Sequence, residues 1–169
     1  MKLRVLGADA DVIAQVLQQG GARDVEAVPH PQDWNAAAAD AVLLQSDAVQ
    51  AMGRGELVPP AEPAVAVIPE GTSLPGGAVP PRRLVYYRLE GQRTPWGWQP
   101  LTFAFRSADD SPTAARVRQH LSICLLRGGL SPLAQRPAAH PRAGNPAWVE
   151  ELLPACQRGL PCDDCGQCH

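Results

Sequence analysis

The chain has 169 residues and a formal net charge of −2, with 45% hydrophobic and 19% charged residues. That length makes one domain, or one domain with a small appendage, and the hydrophobic share can bury a core without disulfide staples. The charge balance excludes a generally basic nucleic-acid coat, and no apolar run approaches the roughly 18 residues that a membrane span needs.

In chain order, Leu3–Leu6 reads as a short strand, and Asp9 as the N-cap of a helix with Val12, Ile13, Val16 and Leu17 on one face. Gly20-Gly21 ends that helix. Asp9 and Asp11 arrive before any apolar stretch develops, unlike a secretory leader, so the expected compartment is the cytoplasm. Val25–Val28 is the second strand, Pro31–Ala39 a short helix, and Ala41–Leu44 the third strand. A polar helical turn over Ser46–Met52 follows. Ala64–Ile68 is a fourth strand, continuously apolar as in a sheet covered on both faces. This alternation predicts an α/β unit with a mainly parallel sheet.

After a turn-rich connection over residues 69–82, Leu84–Leu89 and Leu101–Arg106 read as an appended β-hairpin, residues 84–106, with a long loop containing GQRTPWGWQ. Strict alternation sets Val85, Tyr87 and Leu89 opposite Leu101, Phe103 and Phe105. Tyr86 and Arg88 then share the other face with Ala104 and Arg106. Ser111-Pro112 is a helix start, with Val117, Leu121, Cys124 and Leu125 as the apolar stripe and Gly128-Gly129 as the stop. Residues 131–144 form a proline-containing connector, and Asn145-Pro146 opens another helix with Trp148, Val149 and Leu152 inward. The predicted organisation is an α/β domain over 1–106 and a small helical segment over 107–169 that ends in a cysteine cluster loop, 156–169.

Four of the five cysteines, Cys156, Cys162, Cys165 and Cys168, fall in the last fourteen positions with spacing x5, x2, x2. A two-residue gap lets neighbouring thiolates converge on one inorganic centre. Three in succession supply three iron corners of a cubane, and a fourth cysteine at some distance supplies the last. The expected cofactor is therefore a [4Fe-4S] cluster. Zinc is the alternative, although structural zinc more often uses two separated CxxC knuckles. Cys165-Gly-Gln-Cys168-His169 also matches a haem-attachment pattern, but that reading strands Cys156 and Cys162. Cys162, Cys165 and Cys168 resemble the ferredoxin-type CxxCxxC run, with the fourth cysteine upstream in place of a downstream Cys-Pro. The segment is also similar to the C-terminal cluster loop of the endonuclease III and adenine glycosylase family. Both resemblances cover about fifteen residues; they imply a cluster and transfer no activity.

The remaining candidates lie in the middle of the chain. Residues 82–127 hold eight arginines against three acids, and six of the eight aromatics (Tyr86, Tyr87, Trp96, Trp98, Phe103, Phe105) sit among them. Arginine between aromatics suits a protein hot spot or a single-stranded nucleic acid, and it also suits a hairpin that simply buries one face. Arg88, Arg93, Trp96 and Trp98 are the expected partner-binding residues. The first turn, LGADAD, lacks the glycines of a dinucleotide loop and the GK[ST] of a P-loop. The strand–helix order is similar to that of a receiver domain, yet Leu44-Gln45-Ser46 stands where a receiver carries its phosphoacceptor aspartate. No catalytic constellation is present. The sequence reads as a non-enzymatic iron–sulfur protein for electron transfer or redox- or oxygen-sensitive regulation through a protein partner. A zinc-stabilised binding module, able to bind nucleic acid through the hairpin, is the alternative.

Overall fold

The structure, a computed structural model, describes residues 1–35 and 37–133. It is an α/β domain built on a seven-stranded, mostly parallel sheet of order β2-β1-β3-β4-β5-β6-β7. The strands are β1 (Lys2–Leu6), β2 (Asp24–Val28), β3 (Ala41–Leu44), β4 (Val65–Pro69), β5 (Leu84–Thr94), β6 (Gly97–Ser107) and β7 (Ser131–Pro132). Only the β5–β6 pair is antiparallel. The helices are α1 (Ala10–Gln19), α2 (Ser46–Gly53) and α3 (Pro112–Arg127). The predicted helix over 145–153 and the cluster loop 156–169 lie outside the described residues.

Two layers of core sandwich the sheet. On one face Leu3, Val5, Leu43, Val65, Val67, Val85 and Phe103 pack against Ile13 and Leu17 of α1 and Val117, Leu121 and Leu125 of α3. On the other, Leu6, Leu44, Ala66 and Ile68 meet Ala48, Val49 and Met52 of α2. Strands covered on both faces read as unbroken apolar runs, which is why β3 and β4 carry no polar alternation. Burial is so complete on β1 that even Arg4 is 3% exposed. Its guanidinium is held by Glu26, its register partner on β2, and by Asn35 Oδ1 at 3.2 Å.

The compact unit runs from Met1 to Leu133, so α3 shares the core of the sheet. Its start follows the predicted pattern: Ala114 N–H donates to Ser111 Oγ at 3.3 Å and Pro112 occupies the first turn. The α1 and α3 backbones approach very closely. An added Cβ at Gly20 would lie 1.7 Å from the Cys124 carbonyl oxygen, and one at Gly128 would lie 2.5 Å from the Val16 carbonyl oxygen.

Three expectations are corrected. The helix expected over Pro31–Ala39 is a single 3-10 turn, Pro31–Asp33. Asn35 Oδ1 accepts the Ala37 N–H at 3.0 Å and Trp34 Nε1–H donates back to the Val28 carbonyl at 2.8 Å; local side-chain bonds of this kind compete with helix. The hairpin is no appendage with a long loop. It belongs to the sheet, and its arms run to Thr94 and from Gly97 around the two-residue turn Pro95-Trp96. Thr94 Oγ1 closes that turn by donating to the Gly97 carbonyl at 2.8 Å and accepting the Trp96 N–H at 3.2 Å. The connector beginning at 131 opens with β7, paired parallel to Thr102 and Phe103 of β6.

The register also departs from strict alternation. Tyr86 faces Arg106, Arg88 faces Ala104 and Leu89 faces Phe103, in line with the pattern, but a bulge follows at Glu90/Gly91. Gly91 pairs with Pro100, which leaves Leu101 as the extra residue, 42% exposed, and sets Trp98 on the core side. A β-bulge of this kind inserts one residue and shifts the side-chain phase.

Candidate functional site

Chain order places the richest polar geometry at the carboxyl ends of the parallel strands. The sheet's switch point lies between β1 and β3, whose connections leave in opposite directions. β4 ends at Pro69, opposite Tyr87, while β5 runs seven residues further to Thr94. At about 3.3 Å per residue the hairpin therefore adds roughly 23 Å of strand past the end of β4. A cleft of about 290 Å³ lies between that arm and the edge, bounded by Asp9, Gln45, Glu70, Tyr87, Glu90 and Trp98.

Tyr87 ties the arm to the body. Its hydroxyl donates to the Leu44 carbonyl at 3.2 Å, reaching past the end of β4. Burial, and secondarily the Asp47 carboxylate, push its pKa well above the ordinary tyrosine value. The unfolded chain releases this proton at about pH 10, before the native chain does. The associated stability is therefore present below about pH 10 and is lost as pH rises further. Tyr87→Phe is expected to cost about 1 kcal/mol at neutral pH and to lessen the alkaline loss, read from urea midpoints between neutral and alkaline pH. An unchanged alkaline slope would remove Tyr87 from this role.

Four of the eight arginines of the basic middle segment lie within ion-pair distance of a glutamate. Arg82 pairs with Glu62 at 2.8 Å, Arg88 with Glu90 at 2.6 Å and Arg106 with Glu70 at 2.6 Å. Arg83 is buried, donating to the Ala64 carbonyl at 2.8 Å and lying 4.0 Å from Glu62. Arg106 also lies over the Tyr86 ring, 4.5 Å from its centroid. Exposed pairs of this kind add little stability, but they cancel the charge that a phosphate backbone would need. Arg93 forms no ion pair among the described residues.

The four predicted partner-binding residues divide into two groups. Trp96 is 92% exposed at the turn, and Arg93 is exposed on the arm as the register partner of Trp98. Trp98 is half-buried against the core and lines the cleft, and Arg88 lines the cleft with its glutamate. The arm therefore offers one bare tryptophan beside one arginine that has no ion pair among the described residues.

Cys156, Cys162, Cys165 and Cys168 lie outside the described residues, and among the described residues no group of histidine, cysteine and acidic side chains could hold a metal. The fifth cysteine, Cys124, is buried on α3 with Sγ 3.8 Å from His120 Nε2. Burial raises its pKa and lowers that of His120, so the pair rests as neutral thiol and neutral imidazole, without an activated nucleophile.

Sequence reasoning missed Gln45 and Asp47. Ala8 N–H donates to Asp47 Oδ2 at 3.0 Å and Asp9 N–H to Gln45 Oε1 at 2.8 Å. The only linear signal is an acid in the first turn of α2; the partners are 36 and 39 residues away.

No family model matches the chain, and no curated protein matches it. Among solved structures, it is similar to a candidate ketopantoate reductase from Ralstonia solanacearum MolK2, with TM-score 0.49 and 14% identity over 78% of this chain and 59% of that one. It is also similar to a PanE/ApbA family ketopantoate reductase from Ralstonia eutropha JMP134, with TM-score 0.47 and 13% identity over 81% and 57%. The chain thus spans less than two thirds of the length of either structure. No helix among the described residues is long and apolar enough to cross a membrane.

Proposed function

We propose that this chain is an iron–sulfur protein in which Cys156, Cys162, Cys165 and Cys168 hold a [4Fe-4S] cluster, acting in electron transfer or redox- or oxygen-sensitive regulation through a protein partner. The observation that carries this reading is the cysteine spacing, x5, x2, x2, within the last fourteen residues. The donor set fits: four thiols can offer one sulfur to each of four irons, and Gly159 and Gly166 allow the tight turns that wrapping needs. The thiol of Cys124 is buried in the core and is not part of the proposed ligand set. When bound, such a cluster supplies one-electron chemistry. Four cysteines gathered in fourteen residues suit a metal site in a reducing cytoplasm better than a disulfide framework, which spreads its cysteines along the chain.

The hairpin arm is the proposed docking element. Its Trp96 and Arg93 are the residue types that dominate protein hot spots. The ion pairs of Arg82, Arg88 and Arg106 favour a protein over a single-stranded nucleic acid as partner. Trp96 packs against nothing that folding needs, so Trp96→Ala is expected to leave the urea midpoint within experimental error. Trp98→Ala opens the core side and is expected to cost about 2 kcal/mol. Equal losses in the two variants would mean that the tip is structural and is no docking element.

The test of the cluster is anaerobic purification with iron, acid-labile sulfide and zinc assays on one sample. About four irons and four sulfides per chain, with broad absorption near 400 nm, support the reading. A colourless protein with about one zinc would overturn it in favour of a zinc-stabilised binding module.

A further inference from the structure

A doubly wound sheet of this order binds its ligands in the crevice beyond the carboxyl ends of the strands at the switch point. Phosphates held there rest on the free N–H groups at the start of the following helix. In this chain the four consecutive N–H groups from Gly7 to Ala10, which lead from β1 into α1, already have acceptors. Gly7 N–H donates to the Val28 carbonyl at 3.3 Å and Ala10 N–H to the Gly7 carbonyl at 3.1 Å. Ala8 N–H donates to Asp47 Oδ2 at 3.0 Å and Asp9 N–H to Gln45 Oε1 at 2.8 Å. The other Asp47 oxygen, Oδ1, accepts the Ala48 N–H at 3.0 Å in the first turn of α2. One carboxylate thus bridges the starts of α1 and α2. The space that Gly7 opens is also filled: a Cβ there would lie 2.3 Å from Gln45 Oε1 and 2.5 Å from Gln45 Cβ.

We infer that Asp47 and Gln45 are a built-in substitute for the phosphate that a sheet of this topology takes at its switch point, so the crevice is closed to nucleotides and other phosphorylated ligands. A phosphate entering here must expel a carboxylate that already makes two backbone hydrogen bonds. It must also approach Asp9, which lines the same crevice. Each term opposes binding: lost hydrogen bonds on one side and like charge on the other. The inference concerns the α/β body alone and does not rest on the cluster.

The test uses the full chain and three probes: NADPH fluorescence, ADP and inorganic phosphate. The wild-type protein is expected to leave NADPH emission unchanged and to show no thermal shift with ADP or phosphate at millimolar concentration. Asp47→Ala vacates the bridge, and phosphate is expected to raise its unfolding midpoint by several degrees over a phosphate-free control. Asp47→Asn retains an acceptor oxygen without the charge. It is expected to fold as the wild type does by circular dichroism and to stay closed to all three probes, which keeps the inference testable if Asp47→Ala does not fold. Saturable binding of NADPH or ADP by the wild type, or by Asp47→Asn, would overturn the inference. A folded Asp47→Ala that ignores phosphate would overturn it as well.

Discussion

Gly20→Ala is expected to destabilise the α/β body by about 3 kcal/mol, the upper end for overpacking. The new methyl would meet the Cys124 carbonyl oxygen at 1.7 Å and its carbon at 2.5 Å, both backbone atoms of α3. No rotamer change relieves such a contact, so α1 and α3 must separate and loosen the packing of Leu17 and Leu121 between sheet and helices. Small domains are held by only about 5–15 kcal/mol, so the loss is a large share of the whole. Gly53→Ala is the control. Gly53 ends α2 with nothing within 4 Å of an added methyl and without a positive φ, so alanine there is expected to stabilise by about 0.5 kcal/mol. Urea denaturation followed by circular dichroism reads both. Equal midpoints for the two variants would show that the α1–α3 contact is slack.

Cys165→Ser is expected to abolish the absorption near 400 nm and to drop bound iron well below about four per chain. Serine keeps the shape of the side chain, but its hydroxyl does not ionise near neutral pH and its oxygen is a poor substitute for thiolate sulfur. The same loss is expected at Cys156, Cys162 and Cys168. Cys124→Ala is the discriminating control: its thiol is buried in the core, so removing it should lower stability by about 1 kcal/mol and leave iron untouched. Iron retained after each of the four serine substitutions would remove these cysteines as ligands. Iron lost from Cys124→Ala in a folded protein would mean that the ligand set was chosen wrongly.

Much of the sheet was legible because its signals are local. Unbroken apolar runs marked β3 and β4, and Ser111-Pro112 marked the start of α3 to the residue. What escaped depends on partners far along the chain or on a single extra residue. The Asn35 side chain breaks the expected helix over Pro31–Ala39 while also taking a hydrogen bond from Arg4, 31 residues away. The clamp of Gln45 and Asp47 on the first turn spans 36 and 39 residues, and neither residue type announces it. β7 is two residues long, too short for any periodicity. Of the candidate site, the cysteine set rests on spacing alone and lies outside the described residues, whereas the exposure of Trp96 followed from its place beside Pro95 and Gly97. The pairing of the arginines did not, because Glu62 and Glu70 come from the connections flanking β4.

The bulge at Gly91 gives the hairpin two phases in one pair of strands. Below it, odd-numbered residues of β6, Phe103 and Phe105, turn to the core; above it, the even-numbered Trp98 does. A Cβ at Gly91 would lie 2.0 Å from the Gln99 carbonyl oxygen, so the residue that permits the shift can hardly be exchanged. The arm is consequently tolerant of some length changes and intolerant of others. Adding or removing two residues per strand beyond the bulge preserves which way the tip faces. A single-residue change in β6 turns Trp98 outward and reverses the face beside it. Length variation at the tip is therefore quantised in pairs, and the reach of the arm can change while its handedness toward the cleft stays fixed.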